Sequence, residues 1–277
     1  MSEQAQPSPH RHISFTAHYT GYIWYQMGLS HPVLASVKGE RLVALMNPLE
    51  GLMERFVGGS MRSTLKQRHA LIDRQLDRLI EQYPDLQVLE IAAGLSPRGW
   101  RYRLANPKMT YVEADLPDMA NIKRDALAGI ENPAPRVVGA DLFSDELFTL
   151  FDSFDTTRPL VIISEGLVNY FTKDMLQQLW SRLATGLNAF PIGVYLTDIY
   201  PEPVHHRLGQ LIWNSSKMLK FMSKSAFSFH FVAAQELVEF LQTQHFAQVQ
   251  VFQPKDDDNA CHQDHLGDLV WVVQATV

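Results

Sequence analysis

Gln87-Val-Leu-Glu-Ile-Ala-Ala-Gly-Leu-Ser-Pro-Arg98 decides how this chain is read. A short apolar run suited to a buried strand is followed by a turn of small residues, Ala92-Ala93-Gly94, and then by the start of a helix. Further along, Tyr111-Val-Glu-Ala-Asp-Leu-Pro117 reads as a second strand ending in carboxylates. Strand, tight turn, helix and acid-tipped strand together build a nucleotide or nucleoside pocket in an open α/β sheet. The turn admits close backbone approach, and the acid takes ribose hydroxyls. The dinucleotide pattern Gly-x-Gly-x-x-Gly is not met, because Ala92 stands where its first glycine would be.

Strand and helix patterns alternate on both sides of this unit. Strands are predicted at Gln87–Ile91, Met109–Glu113, Arg136–Val138, Leu160–Ser164, Gly193–Thr197, Gln248–Phe252 and Leu269–Gln274, with helices between them at Pro117–Ala128, Asp145–Phe151, Lys173–Leu187 and Ala233–Gln244. That alternation predicts a Rossmann-like α/β fold with a seven-stranded, mostly parallel sheet. The final two strands are joined by a polar loop too short for a crossover helix, so the last strand is expected to run antiparallel. Residues 1–12 read as a loose tail and 13–84 as a helical N-terminal cap, with Leu65, Ile72, Leu76, Leu79 and Ile80 at helical spacing. Residues 85–277 form the α/β domain. Its alternation is interrupted at about 200–231 by an insertion rich in Met and aromatic residues, expected to act as a second cap before the sixth strand.

Composition narrows the class. The chain has 277 residues, 46% of them hydrophobic, enough for a large core. A net charge of -6 without a basic block argues against nucleic-acid binding. Cys261 is the single cysteine, so no internal disulfide forms and a reducing, cytoplasmic setting is expected. The polar stretch Met1 to His12 does not read as a signal peptide. There is no apolar run of about 18 residues that could cross a membrane.

In open parallel sheets, ligands bind beyond the carboxyl ends of the strands. Four predicted strand ends carry polar or small groups there: Ala92-Ala93-Gly94, Glu113 with Asp115, Gly139-Ala-Asp141-Leu142, and Ser164-Glu165-Gly166. Strand periodicity puts Glu113 and Asp115 on one side and does not choose between them. Glu90, inside the first strand, needs a partner if buried; it either orients the turn or a ligand amine or points to an edge. Arg68 lies on the helix before the sheet and reads equally as a site residue or as a solvated surface charge. The group Cys261, His262, Asp264, His265 and Asp268 matches no common zinc spacing and reads as a polar hairpin loop, so no metal is expected. The His205-His206 pair after the fifth strand reads as cap packing or as cleft lining. The nucleophile-elbow, zinc-protease and phosphate-loop motifs do not occur.

Taken in order, these segments resemble the leucine carboxyl methyltransferase family, which includes bacterial polyketide carboxyl O-methyltransferases. The matching pieces are Arg68-His-Ala-Leu-Ile-Asp73, Leu89-Glu-Ile-Ala-Ala-Gly-Leu95 with Arg101-Tyr-Arg-Leu104, and Tyr111-Val-Glu-Ala-Asp-Leu-Pro117 with Lys123. Gly139-Ala-Asp-Leu142 and Leu160-Val-Ile-Ile-Ser-Glu-Gly-Leu-Val-Asn-Tyr170 complete them. The resemblance implies S-adenosylmethionine as cofactor. Arg68 would pair with the methionyl carboxylate, Gly94 would line the turn with Ala92 in place of the family's usual first glycine, and Asp115 would bind the ribose. Asp141 and Leu142 would frame the adenine, and Glu165 would meet the methionyl amine.

The implied reaction is in-line methyl transfer to a carboxyl or phenolic oxygen of a small molecule, with Tyr22, Tyr170 and His206 as candidates lining the acceptor site. Two other readings remain open at this point: a nicotinamide-dependent oxidoreductase, and a non-catalytic S-adenosylmethionine-binding regulator. The sequence leaves the acceptor and the oligomeric state open.

Overall fold

The computed structural model describes residues 14–57, 61–130, 134–202, 227–253 and 270–277. The expected tail (1–12), His206, Cys261 with its neighbouring His and Asp residues, and most of the expected cap insertion lie outside the described residues.

The residues before the sheet form helices α1 (Ser14–Gln26), α2 (Val37–Val57) and α3 (Met61–Gln82), with a 3₁₀ turn at Pro32–Leu34. Gly28, at φ 73°, turns the chain after α1. Tyr19, Ile23, Val43, Met46 and Leu65 close a small core among these helices. Strands β1 (Gln87–Ile91), β2 (Tyr111–Asp115), β3 (Arg136–Gly139), β4 (Leu160–Ser164), β5 (Gly193–Ile199), β6 (Gln248–Phe252) and β7 (Trp271–Thr276) form one sheet of order β3-β2-β1-β4-β5-β7-β6. Between them run α4 (Arg98–Ala105), α5 (Pro117–Leu127), α6 (Glu146–Phe151), α7 (Lys173–Leu187) and α8 (Ala234–Gln242).

The first five strands pair in parallel, and β7 runs antiparallel between β5 and β6. The seven-stranded sheet with its reversed last strand is therefore as expected. Each residue of β1 and β4 is buried, as strands covered on both faces require. Leu89, Ile91, Ile162 and Tyr195 face a core shared with Leu147, Trp180 and Leu241 of α6, α7 and α8. Val88, Val161, Ile163 and Val194 point the other way, onto Leu71, Ile72, Leu76 and Leu79 of α3. The stripe read as the apolar face of the N-terminal helices thus covers one side of the sheet. Local signals hold the helix starts: Pro117 opens α5, and Thr172 caps α7 by accepting from Met175 N–H.

Four strands differ in extent from the sequence reading, β3 only by Gly139, which pairs with Asp115. β2 begins two residues later than Met109, because Met109 is still in the turn that closes α4, its N–H bonded to Asn106 and its carbonyl to Arg103. β5 continues to Ile199, since β7 pairs Val272 with Asp198 and Trp271 with Ile199. β7 itself is displaced toward the C-terminus, ending at Thr276 opposite Val194. Such lengths depend on a partner strand far away in sequence.

Candidate active site

The strand order reverses between β1 and β4, so the two loops leaving these strands diverge and open a crevice. The β1 turn enters it through Ala92 at φ 51° and Gly94 at φ 49°. Ala92 thus adopts the left-handed backbone for which glycine is the ordinary choice. Gly94 is required for space as well, since a Cβ there would lie 3.0 Å from Ala17 Cβ of α1. The N-terminal helix therefore packs directly on the turn.

Asp115, half-buried at the end of β2, ties that turn down. Its Oδ2 accepts from Gly94 N–H at 2.7 Å and its Oδ1 from Leu116 N–H at 2.7 Å. Burial raises the carboxyl's pKa and these two bonds oppose the rise. Beside it lies a pocket of about 380 Å³ lined by Ala92, Asp115, Leu116, Asp141, Leu142, Phe143, Leu167 and Phe171. Apolar walls with two carboxylates at the rim suit a flat heterocycle joined to a polyhydroxy group. Asp141 Oδ1 accepts from Phe143 N–H at 2.9 Å, which fixes that carboxylate at the wall. Asp115, Asp141, Leu142 and Ala92 are thus brought together, with Gly94 held by Asp115.

Arg68 and Glu165 meet just beyond the end of β4. Arg68 Nε donates to Glu165 Oε1 at 2.9 Å, and Arg68 Nη1 donates to Asp198 Oδ2 at 3.3 Å and to Tyr200 Oη at 3.2 Å. Burial acts against the guanidinium charge, but Tyr200, Asp198 and Glu165 outweigh it, so its pKa is raised. Glu165 Oε2 receives Arg98 Nη2 at 2.6 Å and lies 2.8 Å from His69 Nδ1. Burial would raise this carboxyl, yet His69, Arg98 and Arg68 hold it well below the usual carboxylate range. Both Glu165 oxygens are therefore engaged with side chains of the protein. The Gly166 N–H, at φ 69°, donates to Asp198 Oδ1 at 2.6 Å.

Two of the expected site acids stand elsewhere. Glu90 is fully buried behind the turn, receiving Arg98 Nη1 at 2.8 Å and Tyr111 Oη at 2.7 Å. Glu113, its register neighbour on β2, lies 2.7 Å from Lys123 Nζ and beneath Gly99, where a Cβ would sit 2.4 Å from Glu113 Oε1. The Glu113–Lys123 contact has ion-pair distance without hydrogen-bond alignment. Neither acid lines the pocket, so of the β2 acids only Asp115 reaches it.

Tyr22 packs on the α1–α2 core, its ring 5.9 Å from Tyr25. Tyr170 lies with Phe227, whose ring centroid is 5.5 Å away, and Phe227 in turn lies 6.0 Å from Tyr200. Burial raises the Tyr170 phenol.

Sequence reasoning missed Arg98, Asp73, His69, Asp198 and Tyr200. Arg98, fully buried, links Asp73, Glu90 and Glu165, and Arg101 adds a bond to Asp73 Oδ2 at 2.8 Å. Asp198 carries the one signal that was available: it is a carboxylate at the carboxyl end of a parallel strand, concealed by ending β5 at Thr197.

Among solved structures, a candidate methyltransferase of Thermobifida fusca shares the fold at 15% identity and a TM-score of 0.62, covering 99% of this chain and 98% of its own. A candidate O-methyltransferase of Nostoc punctiforme superposes with a TM-score of 0.54 at 12% identity, over 94% of this chain and 73% of its own. In sequence, a Mycobacterium marinum protein named as a candidate S-adenosyl-L-methionine-dependent methyltransferase is 32% identical over 121 residues, 42% of this chain and 39% of its own. The tetracenomycin polyketide synthesis O-methyltransferase TcmP of Streptomyces glaucescens is 25% identical over 123 residues, 43% of each chain. These matches span about two fifths of the relatives' length. The family model for leucine carboxyl methyltransferases matches residues 40–184. That span runs from α2 across α3, which bears Arg68, and on through the turn and the three following strand ends, and this chain belongs to the leucine carboxyl methyltransferase family.

Proposed function

We propose that the protein is an S-adenosylmethionine-dependent O-methyltransferase acting on a carboxyl or hydroxyl oxygen of a small molecule. One observation supports the reading: Asp115 borders a pocket at the switch point of the sheet, and Arg68 is bonded to Glu165, the residue that follows β4. The donor set fits the cofactor. Each Asp115 oxygen has given one lone pair to a main-chain N–H and retains another for a ribose hydroxyl. Asp141, Leu142 and Phe143 would hold the adenine, and Arg68 the methionyl carboxylate, for which a guanidinium is the suited partner. Glu165, expected to meet the methionyl amine directly, is better placed as the anchor for Arg68, His69 and Arg98.

When bound, the cofactor would supply a methyl group already activated on a sulfonium. The chain then has to orient an acceptor oxygen and exclude water. A carboxylate acceptor arrives ionised and needs no base, whereas a phenol requires a proton to be taken within hydrogen-bond reach. Tyr170, Tyr200 and Phe227 form an aromatic wall next to Arg68, which favours an apolar or aromatic acceptor.

Alanine in place of the family's usual first glycine is the feature that would favour a non-catalytic regulator. Ala92 holds the glycine-like backbone, so the departure by itself removes nothing from the pocket. Calorimetry tests the proposal: S-adenosylhomocysteine should bind at micromolar or better affinity, NAD should not, and Asp115→Ala should weaken binding at least about thirtyfold by removing a charged acceptor of buried bonds. Binding of NAD without response to S-adenosylhomocysteine would overturn it. Binding without methylation across a panel of aromatic and aliphatic carboxylic acids and phenols would favour the regulator.

A further inference from the structure

Asn169 lies in the 3₁₀ turn Val168–Tyr170 after β4 and is buried. Its side-chain amide serves main chain from two other places. Nδ2 donates to the Tyr200 carbonyl at 2.9 Å and to the Ser228 carbonyl at 2.8 Å, while Oδ1 accepts from Tyr200 N–H at 2.9 Å. The Asn169 carbonyl also accepts from Ser228 N–H at 2.7 Å. Both amide hydrogens are used, and donation and acceptance with one residue reproduce what a neighbouring strand does. Tyr200 is thereby held after β5 has ended, where no ladder continues.

The consequence is felt at Arg68. The Tyr200 hydroxyl lies 3.2 Å from Arg68 Nη1 and the guanidinium carbon 5.9 Å from the Tyr200 ring centroid. Asp198 holds the same nitrogen, and Glu165 holds Nε. Nη2 takes no part in these bonds and faces Gly166, where a Cβ would stand 3.1 Å from it. We propose that Asn169 is a positioning residue: it sets Tyr200 so that Arg68 is braced from behind and presents its remaining edge to an anionic group of the ligand. The inference rests on the methyltransferase reading, in which that group is the methionyl carboxylate.

Two probes separate this from a merely structural role. S-adenosylhomocysteine carries the carboxylate, and 5′-methylthioadenosine lacks the whole amino-acid end. Asn169→Ala and Tyr200→Phe should each weaken S-adenosylhomocysteine about tenfold, the effect of losing one hydrogen bond to a charged group, and leave 5′-methylthioadenosine within about twofold. The double variant should bind little worse than either single one, because Asn169 acts through Tyr200. Asn169→Asp keeps the oxygen that receives Tyr200 N–H but loses both donors, and should behave as Asn169→Ala. Equal losses for both probes, additive losses in the double variant, or failure of both Asn169 variants to fold overturns the positioning role. Wild-type protein that binds neither probe overturns the methyltransferase reading itself.

Discussion

Arg98 Nη2 lies 2.6 Å from Glu165 Oε2, and neither side chain reaches solvent to any useful extent. Arg98 begins α4 and Glu165 follows β4, so one ion pair joins the two loops that form the crevice. The same guanidinium serves Asp73 at 2.6 Å and Glu90 at 2.8 Å.

Replacing it is therefore costly. Arg98→Met would leave three buried carboxylates short of a partner, and breaking a buried pair from one side costs about 3–5 kcal/mol. Thermal denaturation should show a melting temperature lower by roughly 10 °C. Arg98→Lys should recover little, since a point charge does not fork to three acids. An unchanged melting temperature would mean that the acids find other partners.

Ala92 holds φ at 51°. A non-glycine residue there is strained by about 1–2 kcal/mol, while glycine costs roughly 0.4–1 kcal/mol through the unfolded chain. Ala92→Gly should therefore raise stability slightly, up to about 1 kcal/mol, and change S-adenosylhomocysteine affinity less than about threefold. Ala92→Val, β-branched in a left-handed position, should destabilise clearly. Chemical denaturation measures both.

Gly166 has φ 69°, and a Cβ there would stand 3.1 Å from Arg68 Nη2. Gly166→Ala should destabilise by about 1–2 kcal/mol from backbone strain alone. It should also weaken S-adenosylhomocysteine more than 5′-methylthioadenosine, because the new methyl crowds the guanidinium. Titration with both ligands provides the comparison.

Glu113 should give stability a distinctive pH dependence. Burial lifts its carboxyl from 4.5 to about 7, against the pull of Lys123 and with Glu90 adding to the rise. The folded chain holds this proton more tightly than the unfolded one. The contribution is complete below about pH 4.5 and is lost as pH rises through about 7, on the order of 3 kcal/mol in all. Glu165 and Asp73 act oppositely: lowered in the folded state, they stabilise above the ordinary carboxylate range and lose that contribution in acid. Melting temperatures between about pH 5 and pH 8 should decline less steeply for Glu113→Gln combined with Lys123→Met than for wild type. Either single change should be markedly destabilising, because it leaves one buried polar group unpaired.

Much of the architecture was legible in local sequence. β1, β4 and β6 fall on the residues expected, as does α7, because mainly apolar runs in β1 and β4, polar–apolar alternation in β6 and a Thr cap on α7 are signals a chain carries locally. Asp115, Asp141, Leu142 and Ala92 were legible as pocket residues for a similar reason: the carboxyl end of a parallel strand is a position that can be counted along the chain. Glu90 and Glu113 resemble Asp115 in sequence but not in place. Two residues along a strand separate a side chain packed under α4 from one at the strand's carboxyl end, and composition does not distinguish them.

The sequence by itself determined the class of fold, the crevice end of the sheet and the family. Only the tertiary structure decided which charges face a ligand and which neutralise one another. Arg68, Arg98, Glu165 and Asp198 come from elements far apart in the chain. Their roles depend on a few ångströms of side-chain reach across the sheet, and partners at that separation in sequence leave no local periodicity to read.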